Sequence, residues 1–254
     1  RLTLHQKMNK ITLESPVFNV EAAIDAAEFG VGRLELCANF PEGGETPSAG
    51  MLKFLKSEID IPVFVMIRPR GGDFFYSQKE LMVMKRDIEL LGEQGADGFV
   101  FGALDKDGFV DIDSCKSLLR AASGKPCTFH RAFDASSDYF DSLEKIISCG
   151  FDRVLTSGGK NSVTEGLEVI RGLLAKAEDR ISIMPGGGAK PEHVVELRKT
   201  GFLKEIHASC KTFKPSGNQF INPGLSFSDD PKSFTHHLRI DREVVGQFLS
   251  AIGE

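Results

Sequence analysis

The stretch Ile61-Pro62-Val63-Phe64-Val65-Met66-Ile67-Arg68-Pro69-Arg70-Gly71-Gly72-Asp73 decides how the chain reads. Its apolar run, rich in β-branched residues and bounded by two prolines, lacks polar alternation and predicts a strand buried on both faces. Its carboxyl end turns polar within a few residues. Two arginines, two glycines and an aspartate gather where parallel α/β sheets keep their sites, and Pro69 removes the donor that would continue the ladder. Arg68 at that end either faces an anion or pairs with a carboxylate of a neighbouring strand.

Outward from this stretch the same unit repeats. Short apolar runs at Ile11–Ser15, Arg33–Cys37, Val63–Arg68, Gly98–Gly102, Cys127–His130, Arg153–Ser157, Ile181–Pro185 and Glu205–Ser209 alternate with longer helical patterns. Val20, Ala23, Ile24 and Ala27 share one helical face, as do Leu81, Met84, Ile88 and Leu91, and Leu167, Ile170 and Leu174. Gly30, Gly95 and Gly150 read as the C-caps that follow such helices. Eight βα units without a composition break predict an α/β fold, a single (β/α)8 TIM-type barrel over residues 11–254, ending in a helix near Asp241–Ile252. Residues 1–10 are expected to be disordered or foreign to the fold. Residues 211–238, rich in Phe, Pro, Gly and Ser, read as an irregular arm packed over a barrel end or against another subunit.

The totals narrow the function. The chain has 254 residues, 41% of them hydrophobic and 26% charged, with a net charge of −5, so it offers no basic field for nucleic acid. No apolar run is long enough to span a membrane, and no secretory signal pattern opens the chain. Its five cysteines show no paired spacing. A cytoplasmic homo-oligomer without nucleic-acid or membrane partners is the expectation.

Strand parity then picks out the residues that face the barrel axis. Glu35, Cys37, Met66, Arg68, Thr128, His130, His207 and Ser209 fall inward, with Glu14 as a possible addition, whereas Cys127 falls outward. Buried unpaired charges are costly, so this ring either satisfies itself, as Glu35 with Arg68 would, or surrounds a polar ligand. His130 with Asp134 four residues on could form a general acid/base pair, or His130 could be a core histidine bonded to a carbonyl. Glycine-bearing turns at Ser157-Gly158, Gly186-Gly187-Gly188 and Ser209 place backbone amides at the ends of the last three strands, where anions bind. Arg70 belongs to the same anion-binding set. On this reading the chain is an enzyme for an anionic or phosphorylated small molecule, with Glu35, Arg68, His130, Asp134 and His207 as catalytic candidates.

The motifs Arg33-Leu34-Glu35-Leu36-Cys37, Glu42 to Ser48, Pro62 to Asp73, Asp97 to Gly102, Thr128 to Asp134, Arg153 to Gly158 and Met184 to Gly188 resemble those of the CutC family, named for copper homeostasis. The resemblance implies a cytoplasmic, often oligomeric barrel that handles Cu(I) through thiols, which makes Cys37 the metal-ligand candidate and Cu(I) the expected cargo. One position departs from the family pattern: Pro16 stands where relatives carry a cysteine two residues after the first-strand glutamate. A single thiolate then needs Met66, His207 or Cys210 beside it.

Overall fold

The computed structural model describes residues 11–225, 230, 232 and 234–253. Residues 1–10, set aside in the sequence, and Phe227 of the arm lie outside the described residues. Eight strands appear where the apolar runs predict them: β1 (Thr12–Val17), β2 (Arg33–Leu36), β3 (Val63–Met66), β4 (Gly98–Phe101), β5 (Cys127–Phe129), β6 (Arg153–Thr156), β7 (Ser182–Pro185) and β8 (Glu205–His207). Most end a residue or two earlier than the sequence pattern, because the polar residues at their carboxyl ends turn away from the ladder into the loops.

All neighbouring pairs in the order β7-β6-β5-β4-β3-β2-β1-β8 are parallel. The end strands β7 and β8 meet to complete the (β/α)8 barrel, and Gly186 explains how. A Cβ there would lie 2.5 Å from Leu155 and 2.9 Å from the Cβ of His207, so only glycine lets these walls approach. Pro16 sits in β1 without disturbing the sheet, since pairing with β8 stops at Glu14 opposite His207.

Seven helices alternate with the strands: α1 (Val20–Phe29), α2 (Ala49–Glu58), α3 (Gln78–Glu93), α4 (Ile112–Ala121), α5 (Tyr139–Cys149), α6 (Val163–Ala177) and α7 (Pro191–Arg198). Local chemistry starts and stops them. Ser77 and Glu80 form a capping box on α3, worth about 1 kcal/mol, and Met84, Ile88 and Leu91 form its buried face. Gly30 ends α1 at φ 98°, its N–H donating to the carbonyls of Ala26 and Ala27. The apolar core lies between helices and barrel, where Leu34, Leu36, Val65, Ile67, Ile206 and Cys127 point outward as parity requires. α8 (Arg242–Gly253) closes the chain, its first amides accepted by Asp241.

The arm is more regular than its composition predicts. Its ends pair as an antiparallel ribbon, β9 (Lys211–Pro215) with β10 (His236–Ile240), which the sequence hid because both strands are short, polar and half-exposed. Arg239 holds this ribbon to α1 through both carboxylate oxygens of Asp25, at 2.6 and 2.7 Å.

Candidate functional site

The lower barrel interior is a closed network of charges. Arg33 donates from Nε to Glu14 and from Nη1 to Glu205 at 2.6 Å, and Arg153 donates from Nε to the other Glu205 oxygen at 3.0 Å. Ser182 also donates to Glu205, and both guanidinium groups lie over the Phe64 ring, at 4.7 and 4.9 Å from its centroid. Parity applied to the strand beginnings, rather than only to their ends, would have found Arg33, Arg153 and Glu205.

Above this network stand His207 and Glu35, which form a buried cluster with Glu14 at the network's top, one ligand atom from each lying within 4.8 Å of the others. His207 bonds Glu14 Oε1 through Nδ1 at 2.8 Å, which turns Nε2 toward Glu35 Oε2, 3.9 Å away. The Cys37 thiol donates to that same Glu35 oxygen at 3.6 Å. Glu35 Oε1 has no partner among the described residues. Electrostatics follow the geometry. Burial raises the Glu14 pKa, but Arg33 and His207 outweigh it and hold the carboxyl down to about 2. Burial pushes Glu35 up to about 7, against the opposing pull of His207. His207 is raised, because Glu35 and Glu14 overcome the burial that lowers it. Burial and the Glu35 charge keep the Cys37 thiol well above its ordinary value.

Glu35 and His207 form part of the floor of a cavity of about 300 Å³ at the carboxyl ends of the strands. Met66, Phe18, Phe74 and Leu155 supply apolar walls; Arg131, Gly187, Gly188, Ser209 and Lys211 supply a polar side. Cys37 lies just behind Met66: a Cβ built on Gly44 would sit 3.2 Å from Cys37 Sγ and 3.4 Å from the Met66 methyl.

Several sequence expectations are corrected here. Arg68 does not pair with Glu35; it donates to the carbonyls of Glu42 (2.6 Å), Gly44 (3.0 Å) and Gly72 (2.8 Å), pinning two loops together. His130 does not bond Asp134. Its Nδ1 accepts the N–H of Ala132 at 3.3 Å, and burial together with the Arg68 charge pushes its pKa down to about 3. Asp134 instead fills the turn after β6, accepting from Ser157 N, Ser157 Oγ, Gly159 N, Thr156 Oγ1 and Arg131 Nε. Ser157 and Gly158 therefore offer no free amide to an anion, since Gly158 N donates to Thr156 Oγ1. Gly186 N is likewise taken, by the Thr156 carbonyl. Arg70 turns away to Glu80 and Asp73. Cys210 packs into the outer core, so it does not join Cys37. Gly187, Gly188 and Ser209 do line the cavity.

A (β/α)8 barrel with a buried Glu-His-Glu cluster beneath an open mouth defines the class. The model of the CutC family matches residues 11–212, and the chain belongs to that family. It is 42% identical over 246 residues to the copper homeostasis protein cutC homologs of Mus musculus and Homo sapiens, covering 97% of this chain and 90% of each relative. The CutC crystal structure from Streptococcus agalactiae superposes with a TM-score of 0.73 at 35% identity, covering 78% of this chain and 98% of that one. An aldolase, QR15, at 16% identity and a TM-score of 0.57 over 81% of this chain and 93% of that one, shares the fold alone.

Proposed function

We propose that the protein serves copper homeostasis, as the names of its relatives state, by holding Cu(I) at Cys37 with Met66 and His207 as the further donors. The observation that carries this reading is the convergence on Glu35 Oε2, which has Cys37 Sγ at 3.6 Å and His207 Nε2 at 3.9 Å. A thiolate, a thioether and an imidazole form a donor set suited to a soft monovalent ion. Glu14 would act on His207 as an outer carboxylate, fixing the tautomer that leaves Nε2 free. Met66, which lines the cavity in front of Cys37, gives copper its way in.

All five cysteines are free thiols, which fits a reducing cytoplasm; among the described residues no helix is long and apolar enough to cross a membrane. The deciding experiment is a Cu(I) competition titration against a chelator of known affinity under reducing conditions. Wild-type protein should take up about one ion per chain and Cys37→Ser should take up none. Failure of the wild-type protein to compete would remove copper binding at this site.

A further inference from the structure

The cavity carries more positive character than a copper site uses. Arg68 is 6% exposed; three carbonyls hold its Nη1 and Nη2 donors, its buried Nε has no acceptor, and no carboxylate pairs with it among the described residues. His130, 3% exposed, lines the same cavity. Its Nδ1 accepts from Ala132, so the ring proton is on Nε2, and that buried donor has no acceptor among the described residues. Arg68 and His130 pack on the same ring, Phe74, at 5.0 and 4.9 Å.

The opposite wall repeats the signal. Gly187 and Gly188 follow one another at φ 95° and 66°, and neither N–H finds an acceptor among the described residues. Because Gly187 has no side chain, Arg131 lies against it; a Cβ there would be 3.2 Å from the guanidinium carbon. Arg131 spends Nε and Nη2 on Asp134, Ser157 and Lys160, while Nη1 beside Gly187 has no acceptor among the described residues. Lys211, at the cavity edge over Phe40, has no acidic partner among the described residues.

Unmatched donors and unbalanced charge around an apolar-walled space call for an anion. We propose that this cavity binds a small organic anion, a carboxylate or phosphate monoester with an apolar body, between His130 and Arg68 on one wall and Gly187, Gly188, Arg131 and Lys211 on the other. The ligand would supply the counter-charge that Arg68 lacks and the acceptor that His130 Nε2 lacks. Met66, Phe74 and Leu155 would cover its apolar part, and about 300 Å³ is enough for a single-ring acid. This site is separate in chemistry from the thiol, so it does not rest on the copper reading.

The test is calorimetric titration of metal-free wild-type protein, with chelator present, using phenylacetate, phenyl phosphate and the neutral phenylacetamide. At least one acid should bind saturably, one per chain, about tenfold or more tighter than the amide. Which acid binds separates carboxylate from phosphate recognition. Lys211→Glu, an exposed change that leaves the barrel untouched, should weaken the preferred acid several-fold, and His130→Phe about tenfold. No saturable binding of either acid, amide binding as tight as acid binding, or an unchanged affinity in Lys211→Glu would overturn the proposal. Because copper is absent throughout, failure here and failure of the copper titration are read independently.

Discussion

The two halves of the barrel interior hold the same kinds of residue and treat them oppositely. Below, Arg33, Arg153, Glu205 and Glu14 are matched charge for charge, and the carboxylate oxygens of Glu14 and Glu205 all accept hydrogen bonds. Above, Glu35 Oε1, His130 Nε2 and Arg68 Nε are buried without partners among the described residues, and the other Arg68 donors meet carbonyls rather than a carboxylate. A matched interior charge is explained by the fold alone. An unmatched one is a standing cost of roughly 1–3 kcal/mol that folding does not explain, and it points to something the site binds.

The largest way to break this contrast is to unbalance the lower half. Arg33→Met should strand Glu14 and Glu205 without their main cation and destabilise the protein by about 3–5 kcal/mol, read from the urea midpoint. Arg33→Lys should recover only part of the loss.

Acid probes the upper half. The unfolded chain protonates His130 near its ordinary 6.5, whereas the folded chain resists until about 3. Between those values the unfolded state binds more protons, so stability falls as pH drops through the window, by about 2–3 kcal/mol at roughly pH 4.5. His130→Phe should flatten that part of the stability–pH profile. Glu35 works in the other direction: with its pKa raised to about 7, it adds stability as pH falls toward its ordinary 4.5. An unchanged profile in His130→Phe would show that the histidine is not held neutral.

Pro16 sharpens the copper side. It lines the cavity and lies opposite Glu35 in the β1–β2 register, so Pro16→Cys should add a second thiol near Cys37 and tighten Cu(I) by about tenfold or more in the same competition titration. The smallest expected effect is on stability in Glu35→Gln. Since the carboxylate already lacks a partner on one oxygen, its replacement should change stability by less than about 1 kcal/mol, in clear contrast to Arg33→Met.

The barrel was legible because its signal is redundant. Eight apolar runs, each followed by an amphipathic helix, leave few alternatives, and inward parity correctly grouped Glu35, Cys37, Met66, Arg68, His130 and His207. Pairings were not legible, because parity gives the face a side chain occupies and not which neighbour it meets. Glu35 and Arg68 share the axis, yet Arg68 is drawn up to the carbonyls of Glu42, Gly44 and Gly72, which come from loops no periodicity describes. His130 and Asp134 are close in sequence, but the turn between them sends one side chain into the cavity and the other to β6. The β9–β10 ribbon escaped for a related reason: strands that are short, polar and mostly exposed or half-exposed, with Ile240 alone buried, leave too weak a hydrophobic period.

Asp134 has a consequence of its own. In the language of competition it is a tethered ligand: a carboxylate on the 3-10 turn Arg131–Ala135, held against the amides of Ser157 and Gly159 by the barrel although more than 20 residues of chain separate them. A free anion arriving there must displace a rival that the paired strands β5 and β6 hold in place, at an effective concentration on the order of millimolar or more. The turn after β6 is thus occupied by the chain itself.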